Sequence, residues 1–399
     1  MRIAIDMTAT PKNKTGIGRY MQGLLQGLQT TDKQNEYILF VHNDDAESFR
    51  VSDPRFSLRT VNSRLLRNTW IRILWEQLIL PFRLRREKAQ IIHCPNFTAP
   101  YLTRVIYPSL KIIGTFHDMS YFFLPEFHVG FKREMFKWYI HRTAKTADKI
   151  ITISENSRKD IPQYCRPRNP DIAVTLLGAD ERFSAPEKAS IHTYREKYDI
   201  KEDYILYVGT LEPRKNIENL IEAYRRTPSE IRDNYQLVIS GKKGWFYQSI
   251  YETAAKSPEL QGRVHFTDFV DDVDLPALMH GASAFAYVSI YEGFGIPVIE
   301  SLASGTLTIT SRGSSLEEIA GDAAYLCDPR DPETICRALT EIFCELGEDE
   351  KARRIRRGID HAAQFTWKRC AEQTVAAYET CLRLTKKSVK TRREPRGKT

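Results

Sequence analysis

The sequence predicts an α/β protein made of two doubly wound, Rossmann-like domains. Three observations carry that prediction. Short strand-like apolar runs alternate with segments of helical periodicity, and the alternation begins twice along the chain. At 399 residues the chain also exceeds one ordinary core, so two domains of roughly 150–200 residues each are expected. Strands that alternate with helices form parallel sheets with helices on both faces.

The first set of runs is Arg2–Met7, Tyr37–His42, Gln90–Cys94, Lys111–His117 and Lys149–Ile153, with helical patterns such as Ile17–Leu28 and Phe131–Lys145 between them. The pattern restarts after "VTLLGADERFSAPEKAS" with Tyr204–Gly209, Gln236–Ser240, Val264–Phe266, Ala284–Ser289, Leu307–Thr310 and Ala324–Cys327. The join therefore falls near Arg182–Ser190, giving domains over residues 1–182 and 190–365. Open parallel sheets bind ligands at the carboxyl ends of their strands, at the point where strand order reverses. Two such sheets facing each other make a cleft.

Composition narrows the class. Apolar residues make up 42% and charged residues 28% of the chain, as in a soluble globular protein. No apolar run approaches the roughly 20 residues of a membrane helix. The opening "MRIAIDMTAT" lacks a signal-peptide pattern and reads as a first strand. Seven scattered cysteines without a CxxC favour free thiols in a reducing cytoplasm over a disulfide frame or a zinc site.

The net charge of +8 is confined. From Arg383 to Thr399, eight Lys/Arg stand against Glu394, so the tail holds +7 of it. Residues 385–399 read as a disordered, solvated tail, with attraction to anionic headgroups as the functional alternative. A nucleic-acid binder would spread basic charge and aromatics over a face, so that class is set aside. A second basic region, Arg64–Lys88, places Trp70, Ile71, Leu74, Leu78 and Ile79 at helical spacing among arginines. It reads either as an amphipathic helix packed on its own domain or as a peripheral contact with an anionic membrane.

Chemistry-bearing residues follow the strands. "TPKNKTGIGRY" puts Gly16 and Gly18 in a loop that opens a helix, where backbone N–H groups can approach a phosphate. Met21 stands where a full GxGxxG would have its third glycine, so an ordinary turn is the other reading. "GTFHDMSYF" ends a strand with His117 and Asp118; that histidine reads as a partner for a substrate hydroxyl or as a structural histidine. Gly209 closes a strand in "YILYVGTLEPRKNIENL", and Arg214 with Lys215 precede a helix, a pairing suited to a diphosphate or to a solvated turn. In "SIYEGFGIPVIESLASG" a strand passes through a Gly-Phe-Gly loop into a helix with Pro297 in its first turn. Glu292 at the strand end and Glu300 one turn into the helix can both accept hydrogen bonds from sugar or ribose hydroxyls. A helix-dipole role covers one of these acids but not the whole string. Asp272-x-Asp274 imitates a metal-binding pair, but it precedes "LPALMHGA", so Asp274 reads as an N-cap.

The string "EGFGIPVIE" resembles the E-x7-E signature of retaining GT-B glycosyltransferases of family four (glycosyl transferases group 1). "GIGRY", "TFHDMSYFFLPEF", "ITISENSRKDI", "VGTLEPRKNIENLIEAY", "FVDDVDLPALMHGASAF" and "SSLEEIAGDAAYLCDP" fall in that family's order and spacing, so the resemblance spans nearly the whole chain. It implies that Gly16 approaches the donor diphosphate or the transferred sugar, and that His117 contacts the donor sugar. It implies that Arg214 and Lys215 neutralise the leaving diphosphate. Glu292 would hold donor-sugar hydroxyls beside the N–H groups of Phe294 and Gly295, with Glu300 on the ribose. Gly209 would line the diphosphate site, and Phe269 and Val270 would lie near the base. A last helix, about residues 366–384, would return to the N-terminal domain.

One departure stands out: Gly209 is followed by Thr210 where many members have arginine, which leaves Arg214 as the substitute. "TLEPRKN" is similar to a mannosyltransferase-rich subgroup, which implies GDP-mannose as donor, with UDP- or dTDP-sugars as the alternative. The resemblance further implies a metal-independent hexosyltransferase of the EC 2.4.1 type acting on a glycan or lipid-linked saccharide of a bacterial surface polysaccharide. It would be cytoplasmic, or peripheral on the inner face of the membrane. A sugar-nucleotide epimerase would need a second acid–base constellation, which is not evident. A non-catalytic nucleotide-sugar-binding subunit would have lost one of His117, Lys215, Glu292 and Glu300.

Overall fold

A computed structural model describes residues 1–10, 16–127, 130–184 and 190–391. The chain forms two compact units, Met1–Leu177 with the C-terminal helix from Trp367, and Gly178–Thr366. The crossing comes at Leu177/Gly178, ahead of the expected join, because Phe183 is fully buried in the core of the second unit and the Ala179 amide donates to the Phe365 carbonyl.

The first unit carries β1 (Arg2–Asp6), β2 (Glu36–His42), β3 (Phe56–Val61), β4 (Ile91–Cys94), β5 (Lys111–Phe116), β6 (Lys149–Thr152) and β7 (Ile172–Val174). They form one sheet in the order β3-β2-β1-β4-β5-β6-β7, every pairing parallel. Strand order reverses between β1 and β4. The second unit carries β8 (Asp203–Val208), β9 (Tyr235–Ser240), β10 (Val264–Asp268), β11 (Ala284–Tyr287), β12 (Thr308–Ser311) and β13 (Tyr325–Cys327). Their order is β10-β9-β8-β11-β12-β13, again all parallel, with the reversal between β8 and β11. Central strands read as unbroken apolar runs because helices cover both faces; β4 and β11 are buried along their whole length.

The C-terminal helix Trp367–Thr391 packs on the helix Ile17–Thr31 of the first unit. Glycine makes that approach feasible: a Cβ on Gly23 would stand 2.1 Å from the Trp367 ring, and one on Gly27 would stand 2.2 Å from the Trp367 carbonyl oxygen. This helix continues to Thr391, through part of the stretch expected to be disordered. Residues 392–399 lie outside the described residues.

The basic region Arg64–Lys88 also differs from expectation. It forms three helices, Ser63–Leu66, Thr69–Leu78 and Leu80–Arg86. Asn62 and Asn68 cap the first two through their side chains, and Pro81 sits in the first turn of the third. The helix Thr69–Leu78 turns Arg72, Ile73, Trp75, Glu76 and Gln77 inward, while Trp70, Ile71, Leu74 and Leu78 are exposed. The apolar stripe therefore does not pack on its own domain.

All seven cysteines are free. Among the described residues, no helix is long and apolar enough to cross a membrane.

Candidate functional site

In the second unit the chemistry gathers at the carboxyl ends of β8 and β11, the two strands flanking the order reversal. Gly209 follows β8 and donates its amide to the Ser240 carbonyl at 2.9 Å. A Cβ on Gly241, just past β9, would fall 1.8 Å from the Gly209 oxygen, so these two turns close on each other directly. The chain then makes a short 3-10 turn, Pro213–Lys215. Asn216 ends it in the left-handed region (φ 61°, ψ 31°) and holds it by donating to the carbonyls of Val288 (3.0 Å) and Pro329 (2.6 Å).

That turn aims two cations at one carboxylate. Arg214 donates to Glu292 Oε2 at 2.7 Å and Lys215 to Glu292 Oε1 at 2.6 Å. Arg214 also reaches Glu212 at 3.0 Å and the Tyr291 carbonyl at 2.9 Å. The Tyr287 hydroxyl accepts from Lys215 at 2.6 Å and donates to Glu292 at 3.1 Å. Burial opposes charge on Glu292, but Arg214 and Lys215 outweigh it and hold the carboxyl down at about 2. The group is therefore anionic at neutral pH and accepts hydrogen bonds only.

The loop after β11 is fixed from below: the Ser315 hydroxyl donates to the carbonyls of Glu292 (2.6 Å) and Phe294 (3.0 Å). Gly295 takes φ 119° at the N-cap of the helix Ile296–Ala303, and a Cβ there would stand 2.5 Å from Leu316. Phe294 is buried with its ring edge-on to Phe365. Glu300 is buried within that helix. At the far edge of the sheet, after β10, Phe269 is exposed whereas Val270 belongs to the core.

In the first unit, Gly16 (φ 49°) is the N-cap of the helix Ile17–Thr31; the loop residues 11–15 before it lie outside the described residues. Tyr20 on that helix meets the His117 ring edge-on at 5.0 Å, which links the two residues expected there. His117 bonds through Nε2 to the Pro95 carbonyl at 2.8 Å. A carbonyl only accepts, so Nε2 carries the proton. Burial holds the ring below its usual range, against the Pro95 carbonyl and Asp118, which raise it. Nδ1 is then an acceptor on a neutral ring. Beneath it His93 joins Thr115 and Tyr378, each at 2.7 Å, and burial pushes His93 down to about 3, so it stays neutral.

The expected residues thus fall into three groups. Arg214, Lys215 and Glu292 are in direct contact, with Gly209, Phe294 and Gly295 on the adjoining turns and Glu300 on the helix Ile296–Ala303, while Phe269 and Val270 stand apart after the edge strand β10. Gly16 and His117 share the first unit. The sequence reading missed Tyr287, Glu212 and Ser315, although Glu212 lies two residues before Arg214. It also missed a buried cluster beside the ends of β1 and β4. There Arg72 pairs with Glu76 at 3.1 Å, Thr98 donates to Glu76 at 3.1 Å, and Gln77 donates to Glu76 at 3.4 Å and to the Ala99 carbonyl at 2.9 Å. Burial drives the Glu76 carboxyl up to about 7, Arg72 opposing and Asp6 adding to it.

Asp274 stands at the N-cap of the helix Leu275–His280 but makes no side-chain cap. Its backbone is already helical (φ −89°, ψ −17°), and Lys197 and Tyr198 take its carboxylate at 2.6 and 2.7 Å. Among the described residues, no three His, Cys, Asp or Glu side chains gather as metal ligands.

The model of Glycosyltransferase Family 4 matches residues 14–182 and that of Glycosyl transferases group 1 matches residues 190–359. O-antigen chain mannosyltransferase B of Escherichia coli is 32% identical over 92% of this chain and 96% of its own length. O-antigen chain mannosyltransferase RfbU of Salmonella typhimurium is 27% identical over 57% of this chain and 60% of its own. Among solved structures, Anabaena Alr3699/HepE in complex with UDP and glucose has a TM-score of 0.75 at 15% identity, covering 95% of this chain and 100% of that one. WaaG, a glycosyltransferase involved in lipopolysaccharide biosynthesis, has a TM-score of 0.68 at 16% identity, covering 94% and 98%. At these identities the structural likeness is one of fold. With two parallel-sheet Rossmann-like units, both family models in sequence and a relative similar along nearly its whole length, the chain belongs to the group 1, family 4 glycosyltransferases and has the GT-B fold.

Proposed function

We propose that this glycosyltransferase moves mannose from GDP-mannose, with retention of configuration, to a glycan carried on a lipid during synthesis of a bacterial surface polysaccharide. The observation that carries the reading is the knot of Arg214, Lys215 and Glu292 at the strand-order reversal of the second unit. Relatives named as O-antigen mannosyltransferases support the sugar and the polymer.

In this reading the leaving diphosphate competes with Glu292 for Arg214 and Lys215. As the glycosidic bond breaks, negative charge grows on the diphosphate, and cations already held in place stabilise it without reorganisation. Glu292, released from one or both cations, remains anionic and accepts from donor-sugar hydroxyls. The amides of Phe294 and Gly295 are assigned to the same charge, Gly209 to the lining of the diphosphate site, and Gly16 to the diphosphate or the transferred sugar. Glu300 takes the ribose hydroxyls, and Phe269 with the backbone at Val270 lies by the base. His117 accepts from a sugar hydroxyl through Nδ1. No residue serves as covalent nucleophile: the acceptor attacks the face the diphosphate leaves, and a donor phosphate oxygen takes its proton. The two cations supply the charge a metal would supply elsewhere, so the reaction is read as metal-independent. Because the acceptor is lipid-borne, the enzyme works in the cytoplasm at the inner face of the membrane.

Calorimetric titration with GDP, UDP and dTDP in EDTA tests this. Binding of GDP alone is the expected result, and preference for UDP or dTDP overturns the mannose reading. Glu300→Ala should weaken GDP binding by roughly 10-fold or more, the cost of losing hydrogen bonds to a charged group; unchanged affinity would move the ribose elsewhere.

A further inference from the structure

We infer that Glu76 is a positioning residue for His117: it anchors the segment Pro95–Ala99, and that segment aims the histidine ring. The inference deepens the proposed reading and rests on it at one point, that His117 Nδ1 accepts from the donor sugar.

The segment follows β4 and lies outside helix and strand, so its buried backbone groups need partners other than a ladder. The Pro95 carbonyl accepts from His117 Nε2 at 2.8 Å, and among the described residues it is the ring's hydrogen-bond partner. The Phe97 carbonyl accepts from the Thr143 hydroxyl at 2.7 Å, and the Ala99 carbonyl from the Gln77 amide at 2.9 Å. Thr98 donates to Glu76 at 3.1 Å, and Gln77 donates to the same carboxylate at 3.4 Å. Both anchors beyond Phe97 therefore lead to Glu76. Asn96, Phe97, Thr98 and Ala99 are all buried, and the Phe97 ring stands edge-on to Tyr121 and Phe136. A close-packed segment passes a displacement along rather than absorbing it. Moving Thr98 therefore moves Pro95 and the ring it holds.

Glu76 costs the fold a desolvated carboxylate, which packing alone does not require. The groups that act with it are Arg72 on its own helix, Asp6 at the end of β1, Cys94 at the end of β4, Thr98, and Tyr139 on the helix Gly130–Thr146. Burial raises the Cys94 thiol and lifts the Tyr139 hydroxyl to about 12, so both stay neutral near neutral pH. The Glu76 carboxyl, lifted by burial to about 7 with Arg72 opposing and Asp6 adding, changes charge there. As a carboxylate it accepts from Arg72, Thr98 and Gln77 together. Once it is protonated, one oxygen turns donor and gives up part of that hold. The ionised form therefore keeps the segment, and with it His117, in place.

Nitrogen NMR of the full chain with isotope-labelled histidine tests this, the His117 ring being assigned by its loss in His117→Gln. In wild type the His117 signals should shift as pH passes about 7 while keeping the neutral, Nε2-protonated pattern; the ring's own protonation lies lower, because burial holds it below its usual range. Glu76→Gln, neutral and of the same shape, should abolish that shift and leave the ring where wild type has it at about pH 6. Hydrolysis of GDP-mannose, with water as acceptor, supplies the functional arm. Its kcat should rise with pH in wild type, and Glu76→Gln should match it at about pH 6 and fall roughly 10-fold behind at about pH 8, with GDP affinity unchanged. Thr98→Val cuts the link while leaving the carboxyl in place. It should reduce both responses, and adding it to Glu76→Gln should cost nothing further; if Glu76→Gln does not fold, Thr98→Val carries the test. Two results overturn the proposal: a His117 shift that persists in the variants, or a loss of activity that is equal at both pH values, as a merely structural role would give. A His117 signal that follows Glu76 in a chain whose hydrolysis ignores His117→Gln would instead refute the sugar contact of His117 and leave its positioning standing.

Discussion

Glu292 and Glu76 are both buried carboxylates beside an arginine, each near the point where its own sheet reverses strand order, and they are driven in opposite directions. Glu292 is held at about 2 and Glu76 is raised to about 7. Burial is the largest influence on both. The difference lies in the count of opposing charges. Glu292 has Arg214 and Lys215 at 2.7 and 2.6 Å. Among the described residues Glu76 has Arg72 alone at 3.1 Å, and Asp6 nearby pushes the other way. One cation does not offset the desolvation of a carboxylate, whereas two do. A carboxylate with two cations stays charged and presents them as a preformed anion site; one with a single cation becomes a titratable group near neutrality.

The largest expected effect tests the first half of that contrast. Lys215→Ala should lower kcat/KM for transfer by roughly 10²–10³-fold, the scale of removing one preorganised charge stabiliser. Retained transfer would place the leaving diphosphate elsewhere. Glu292→Gln should likewise abolish most transfer, yet it should bind GDP as tightly as wild type or more so, because the nucleotide no longer competes with a carboxylate for Arg214 and Lys215. Calorimetry on this variant separates the sugar-holding role proposed for Glu292 from any nucleotide-holding one.

Stability against pH sharpens the contrast because the signs differ. Glu76 is raised above its unfolded value of 4.5, so the folded state binds the extra proton. Its contribution is complete below about pH 4.5 and is lost as pH climbs through about 7. Glu292 is depressed, so its contribution is present above about pH 4.5 and is lost as pH falls towards 2. Urea melts should therefore show the stability difference between wild type and Glu76→Gln falling by on the order of 3 kcal/mol from pH 5 to 8. For Glu292→Gln the difference should rise with pH between 3 and 5. Parallel slopes would erase the distinction between the two clusters.

How much of this was legible depends on whether a signal is local. Central parallel strands announce themselves as apolar runs, and eleven of the thirteen were readable within one or two residues. The edge strands β3 and β7 were not: β3 is only partly buried along its middle and β7 has three residues, so neither shows an uninterrupted apolar run. In the site, Arg214, Lys215, Glu292 and Glu300 sit in compact strings whose glycines and proline are hard to explain otherwise. Tyr287 and Ser315 escaped because nothing near them in sequence says that they reach Lys215 or the carbonyls of Glu292 and Phe294. The Thr69–Leu78 helix misled because periodicity gives a helix's two faces but not which one points inward; Arg72 and Glu76 face the core only because Thr98 and Gln77 meet them there.

Thr98 provides the smallest and most selective test. Its hydroxyl donates to Glu76 at 3.1 Å, favouring the charged carboxylate and pulling the carboxyl down against burial. Thr98→Val keeps the shape and removes that donor. The Glu76 carboxyl should then rise further, and the pH-dependent loss of stability should move to higher pH by an amount equivalent to about 1 kcal/mol, the net worth of one such bond. The same substitution in the Glu76→Gln background should produce no such displacement, because no proton remains to be moved. A displacement that persists there would mean that Thr98 acts through Arg72, which also reaches its hydroxyl at 3.5 Å, and that the cation rather than the carboxylate sets the balance of this cluster.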